Sequence, residues 1–303
     1  TGQRTGSMLM YVGYDDVRRA VDSTLLHSVG HYRATSAQER AATHGCLGYV
    51  RACRHSDDVV VQTLYAAGQD GRAPRHTECC RDDALALVGP APSMKLNDAV
   101  CNCYIDLVNR YIFEHALDAI AVSTFTCAAN ASVSRPRKAS GIGVFDVVRR
   151  RQSGHTFHDK AVLLIPIHLV RAGHWVLLCV DNSLARATLY DSLRECATSE
   201  ASHAITSMLG KLDADYATLD RDDPRAYGGY EIDLVDCPQQ INGVDCGVFM
   251  LQTMRRTVAT LARAETGNPE MCPLEATGGR VMRARRRMLW ELMHGELIIT
   301  ESD

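Results

Sequence analysis

The 303-residue sequence contains no apolar run longer than "AVLLIPI" (161–167). That is far short of the ~20 residues a membrane-spanning helix needs. It also lacks a strong charge of either sign. Thirty-three Lys and Arg stand against 36 Asp and Glu, for a formal net charge of −3, without the basic surplus usual in a nucleic-acid binder. Internal repeats and low-complexity tracts are absent, and the hydrophobic content of 46% is that of an ordinary globular chain. No basic-then-apolar leader opens the sequence. It starts at Thr1 rather than Met, as expected of a fragment or a processed chain, from which a targeting segment could have been lost. The twelve cysteines do not fall into a zinc-module pattern. His76, Cys79 and Cys80 with Cys46, Cys53 and His55 are the nearest approach, and adjacent cysteines rarely ligate one metal. No metal is expected. Cys101 and Cys179 lie within apolar runs, and the scatter reads as reduced thiols in a reducing compartment, nuclear or cytoplasmic.

One cysteine has a different setting. In "PQQINGVDCGVFM" (238–250), Asn242-Gly243 is a strong turn signal. Beyond it Val248, Leu251, Met254, Val258 and Leu261 recur at helical spacing. Asp245 occupies the expected N-cap position. Cys246 therefore falls in the first turn of a helix, where free N–H groups and the helix dipole favour an anion such as a thiolate. Gln240 lies in the preceding loop, and an amide beside a backbone N–H is the material of an oxyanion hole. The competing reading is a buried structural cysteine.

A thiol nucleophile needs a base, and the base needs an orienting partner. Of twelve histidines, two sit at the ends of apolar runs that read as buried strands: His168 in "AVLLIPIH" and His174 in "GHWVLLCVD". A third strand, "ATLYDSL", carries Asp191. His168 reads as structural.

Together these segments resemble the Ulp/sentrin-specific cysteine proteases, which process SUMO and related ubiquitin-like modifiers. "GHWVLLCVD" looks like the family's His-Trp strand, and "LYDSL" like its Asp strand, with Asp191 seventeen residues after His174. "PQQINGVDCGVFM" looks like its Gln–Cys loop, with Gln240 six residues before Cys246. "LNDAVCNCYIDLV" (96–108) and "RRRMLWELMHGEL" (285–297) are similar to its N-terminal and C-terminal helices. The order His, Asp, Gln, Cys is the reverse of a papain-type chain, where Cys comes first. The five fixed positions of N-G-x-D-C-G would arise by chance in a chain of this length on the order of once in ten thousand. The likeness begins near residue 82.

The resemblance implies that Cys246 is the nucleophile, His174 the general base, and Asp191 the residue that holds the imidazole in one tautomer. It gives Gln240 and the Cys246 N–H the oxyanion. Trp175 would wall a narrow channel for the modifier's Gly-Gly tail, Gly247 would leave room for substrate backbone, and Asp98 would lie on the face that docks the modifier's body. One position departs from the pattern. The family normally has Trp before "LND", where this chain has Lys95. Residues 126–141 diverge, and 152–160 read as an inserted polar loop.

The expected architecture is α+β, a papain-like-superfamily cysteine protease of the Ulp type with a central mixed sheet flanked by helices. Helices are expected at 95–110, 198–212, 246–264 and 279–295, and strands at 161–169, 174–181, 187–193 and 230–236. Residues 82–303 form the protease domain. Residues 1–81 form an N-terminal extension, mainly helical, although "DDVVVQTLYAA" fits strand or helix; the boundary is set in the loop "GQDGRAPRHTE". The basic run "RVMRARRRMLW" reads as a solvated helix face. The expected activity is thiol-dependent cleavage after the C-terminal Gly-Gly of SUMO, by a monomer acting on SUMO and its conjugates. No cofactor, nucleic acid or membrane is expected to take part. Alternatives are a protease for ubiquitin or another modifier, an acyltransferase using the same triad and an acyl-coenzyme A donor, and a catalytically dead binding module.

Overall fold

The computed structural model describes residues 46, 48, 50–65, 75–88, 95–124, 160–193, 198–219, 229–263 and 278–299. The diverged stretch at 126–141, nearly all of the polar loop 152–160 and the helices expected before residue 45 lie outside them.

The central sheet has five strands: β3 (Ala119–Ala121), β4 (Val162–Leu169), β5 (His174–Asp181), β6 (Arg186–Tyr190) and β7 (Glu231–Leu234), in that spatial order. The outer pairs β3–β4 and β6–β7 are parallel, and the inner pairs are antiparallel. β4 and β5 are continuous apolar runs because both faces of the sheet are covered. Leu164, Trp175 and Leu177 point into one cluster, while Leu163, Ile165, Val176 and Leu178 point into the other. The second cluster is closed by helix α3 (Thr198–Leu219) through Ala201, Ile205, Met208, Leu209 and Leu212, a stripe with helical spacing.

The first cluster is larger. It is built on α2 (Asp98–Glu114), α4 (Cys246–Ala262) and α5 (Gly278–His294). α2 starts at Asn97, whose side chain accepts the Val100 N–H at 3.1 Å, a normal cap. This helix is buried along most of its length, with Arg110, Phe113 and Glu114 exposed near its end. Its polar Asn109 pairs with both backbone groups of Ala121 at 2.8 and 2.9 Å, and so completes the hydrogen bonding of the short edge strand β3.

The observed elements follow the sequence reading closely, and the α+β sheet flanked by helices is present. The N-terminal part differs. Described residues up to Ala52 are helical, but Val59–Tyr65 (β1) and Arg75–Cys80 (β2) form an antiparallel hairpin, followed by helix α1 (Arg81–Val88). The β-branched run Val59–Val61 makes a strand, and its partner takes the end of the expected boundary loop. Val60, Val61 and Cys79 share one apolar cluster with α2, α4 and α5. The core thus runs across the boundary expected at 81–82.

Candidate active site

The local turn builds the loop before α4. The Asn242 side-chain oxygen accepts the N–H groups of Val244 and Asp245 at 3.0 and 3.1 Å, an Asx turn. Asp245 does stand at the N-cap of α4, but its carboxylate makes no capping bond. This corrects the expected side-chain cap. The carboxylate is taken instead by Asn242 Nδ2 at 2.6 Å and by the buried Arg285 of α5 at 2.5 and 2.8 Å. Arg285 belongs to the basic run expected to be solvated. Arg280, Arg283 and Arg286 are exposed as expected, but Arg285 is buried. Its spacing to Met288, Leu289 and Leu292 puts it on the apolar face, and that was the available signal.

Cys246 is the first residue of α4 and is buried. His174 is the first residue of β5, after a turn in which Gly173 has φ +56°, a conformation that favours glycine. The His174 Nε2 and Asp191 Oδ1 lie 2.6 Å apart, with both side chains buried. The same Asp191 oxygen accepts the Leu193 N–H at 2.8 Å. With Nε2 committed to Asp191, Nδ1 is the ring nitrogen left for Cys246, to which His174 is also hydrogen-bonded. Burial alone would lower the His174 pKa. Its hydrogen bonds to Asp191 and Cys246, with the charges on both, outweigh that and raise it to about 9. Burial alone would raise the Cys246 pKa. The hydrogen bond to His174, the N–H groups of Trp175 and Gly247 and the imidazolium charge bring it below its ordinary value.

Six other described thiols move the opposite way. Burial pushes Cys46 and Cys179 up to about 12, and also raises Cys53, Cys79, Cys80 and Cys101. Among these, Cys246 alone is set up to carry a charge.

The Gln240 loop is tied to the end of β6. Its backbone N–H donates to Ser192 O at 2.8 Å, and the Ser192 hydroxyl donates to Oε1 at 2.8 Å. An amide whose oxygen is engaged in this way presents its NH₂ on the other side. That NH₂ donates to Asn242 O. Gln239 instead donates to the carbonyls of Asp191 and Cys237 at 2.9 and 3.0 Å. It acts as a tie between loop and strand.

Trp175 is buried, donates from Nε1 to Leu96 O at 3.0 Å, and stacks on His168, its cross-strand partner, at 4.4 Å. Gly247 faces Leu96: a Cβ there would stand 2.9 Å from the Leu96 Cβ. The close approach this glycine permits here is to its own chain. Asp98 lies in the first turn of α2, where its charge acts on His168 and Cys101. Lys95 donates to Gly173 O at 2.6 Å, next to His174. Sequence reading offered no signal for that bond, which joins residues 78 positions apart.

A buried Cys–His–Asp arrangement where a helix N-terminus meets the ends of two inner strands is suited to nucleophilic acyl chemistry. Comparison with known proteins agrees. A sentrin-specific protease of Caenorhabditis elegans is 26% identical over 236 residues, covering 74% of this chain and 28% of the relative. Sentrin-specific protease 2 of Rattus norvegicus is 27% identical over 207 residues, covering 67% and 30%. The chain thus spans less than a third of the length of these curated relatives. Among solved structures, the C-terminal Ulp1 protease domain in complex with Smt3, the yeast ortholog of SUMO, aligns with a TM-score of 0.56 at 18% identity, over 88% of this chain and 97% of that one. The Chaetomium thermophilum Ulp1-like SUMO protease catalytic domain aligns with a TM-score of 0.55 at 17% identity, over 89% and 94%. These two likenesses speak for the fold. Residues 95–265, more than half of the sequence, match the C-terminal catalytic domain of the Ulp1 protease family, and the chain belongs to that family.

Proposed function

We propose that this chain is a SUMO-directed thiol peptidase that cleaves after the modifier's C-terminal Gly-Gly, with Cys246 as nucleophile, His174 as base and acid, Asp191 as orienter and Gln240 in the oxyanion hole. The observation that carries the reading is the buried His174–Asp191 pair at 2.6 Å, joined to Cys246, whose thiol is shifted down. The Cys246 thiolate attacks the carbonyl carbon of the terminal glycine. The oxyanion is held by the Gln240 amide and the Cys246 N–H, and a donor of this kind lowers the barrier by about 3 kcal/mol. His174 then gives its proton to the departing amine, a lysine side chain or the N-terminus of a short tail, and a thioester remains. His174 next takes a proton from water, hydroxide adds to the thioester, and the thiolate leaves with the modifier carboxylate free. Trp175 and Asp98 contact the modifier, and Gly247 leaves room for its backbone. The partners are SUMO and its conjugates, the acting form is a monomer, and the compartment is a reducing one, nuclear or cytosolic.

A second reading is favoured by Lys95, which stands where the family has Trp and is bonded to Gly173 O. A different wall at the tail channel suits a different diglycine-ended modifier. The test is a panel of electrophile-tipped SUMO, ubiquitin and one further diglycine-ended modifier, with covalent adducts located by mass. An adduct on Cys246 with SUMO alone supports the first reading. An adduct with another modifier keeps the mechanism and replaces the substrate. No adduct with any of them, on folded protein, overturns the peptidase reading and points to acyl transfer or to a binding module.

A further inference from the structure

Helix α5 lies beyond the family-matched residues 95–265, yet it reaches the nucleophile loop. The buried Arg285 guanidinium donates to Asp245 Oδ1 through Nε at 2.8 Å and Nη2 at 2.5 Å, and Nη2 also approaches Val244 O at 3.5 Å. Its remaining arm, Nη1, donates to Ala86 O of α1 at 3.1 Å. Asp245 immediately precedes Cys246, and its second oxygen is held by Asn242, whose carbonyl accepts the Gln240 amide. One line of contacts thus joins α1 and α5 to both Gln240 and Cys246. Without its cation, Asp245 would be an uncompensated buried carboxylate one residue from a group that must itself become negative.

We propose that Arg285 is a positioning residue for the reaction: by holding and neutralising Asp245 it keeps the 240–246 loop in register and lets Cys246 carry its charge. This rests on Cys246 being the nucleophile, as argued under Proposed function. The groups that act on Cys246 are His174 from β5 and Cys101 from α2, itself under the charge of Asp98; Asp245 is its neighbour in the chain, with Arg285 behind it on α5. His174 compensates the thiolate directly. Arg285 neutralises the carboxylate that precedes Cys246 in the chain, and its fork to one oxygen with a third arm on Ala86 fixes direction as well as charge.

The test compares wild type, Arg285→Met and the neutral pair Asp245→Asn/Arg285→Met. Alkylation of Cys246 by iodoacetamide is followed by mass against pH, alongside kcat and KM on a modifier with a fluorogenic C-terminal amide and circular dichroism for folding. Arg285→Met is expected to raise the alkylation midpoint by about one pH unit or more. Its kcat should fall by about 10²-fold, as for a misplaced catalytic group, with KM within about twofold. The neutral pair should return the midpoint to near wild type. An Arg285→Met protein with wild-type midpoint and kcat overturns the proposal, as does a neutral pair displaced as far as the single variant. If Arg285→Met does not fold, the neutral pair decides: a kept midpoint with lowered kcat supports the proposal, and wild-type kcat refutes it. A wild-type Cys246 with an ordinary midpoint and no preference over the other thiols would instead refute the nucleophile assignment itself.

Discussion

Gly247→Ala puts a methyl group where the Leu96 side chain already is. The added Cβ would stand 2.9 Å from Leu96 Cβ and 3.3 Å from its Cγ and Cδ1. Relief to ordinary contact needs a shift of roughly half an ångström or more. Leu96 is buried and its carbonyl holds the Trp175 indole, so the strain passes to both sides of the site. Overpacking of this kind costs about 1–3 kcal/mol. Replacing a helical glycine returns at most about 1 kcal/mol, and less in a first turn. The net loss is about 1 kcal/mol, which lowers Tm by about 2–4 °C for a domain of this size. Because misplacement by 1 Å can cost about 10²-fold, kcat/KM should fall about tenfold. Calorimetry and turnover of Gly247→Ala, Leu96→Ala and the double variant test this. Leu96→Ala alone should cost about 2–5 kcal/mol. In the double variant the Cγ and Cδ1 contacts are gone, and residue 96, freed of its branched side chain, can yield to the Cβ contact that alanine keeps, with about 0.5–1 kcal/mol of favourable coupling. Strict additivity of the two changes, or a Gly247→Ala protein with wild-type Tm and turnover, refutes the reasoning.

Three further outcomes are expected. Asp191→Asn should lower kcat by on the order of 10³–10⁴-fold without unfolding the protein, since an amide can turn a donor toward the Nε2–H that Asp191 now accepts at 2.6 Å; near-normal turnover removes Asp191 from the site. The pH profile of kcat/KM should be a plateau. Turnover falls on the acid side as the Cys246 thiolate is protonated, at a pH below the ordinary thiol range, and on the alkaline side near pH 9, as His174 loses the proton it must give to the leaving amine. The two limbs belong to the coupled pair, and a rate still rising through pH 10 contradicts the assignment. Lys95→Trp removes the bond to Gly173 O and should lower KM for a diglycine-ended modifier several-fold; an unchanged KM puts position 95 outside the tail channel.

Much of the scaffold was legible in the sequence because its signals are local. The runs 162–167 and 175–180 are continuously apolar since both faces of their sheet are covered. The Asn242-Gly243 turn and the apolar spacing after Cys246 mark the start of α4 within a few residues. Local signals misled where a long-range partner outweighs them. Asp245 has the chemistry of a cap, but a buried guanidinium is a stronger partner for a carboxylate than a backbone N–H. The hairpin β1–β2 is ambiguous as sequence because seven residues with mixed periodicity fit either state, and its packing on α2 decides it.

The sequence by itself determined the order and kind of the elements and the residues able to do thiol chemistry, since periodicity, turn residues and reactive groups are written in neighbouring positions. Only the tertiary structure decided which of the described thiols carries a lowered pKa, what Gly247 makes room for, and that Arg285 stands behind the nucleophile loop. Burial raises the Cys101 thiol, while His174 lowers that of Cys246 on a neighbouring helix. Arg285 meets Asp245 forty residues away and Ala86 at a separation of 199. Charge and packing act through space, and the distances that set them exist only once the chain is folded.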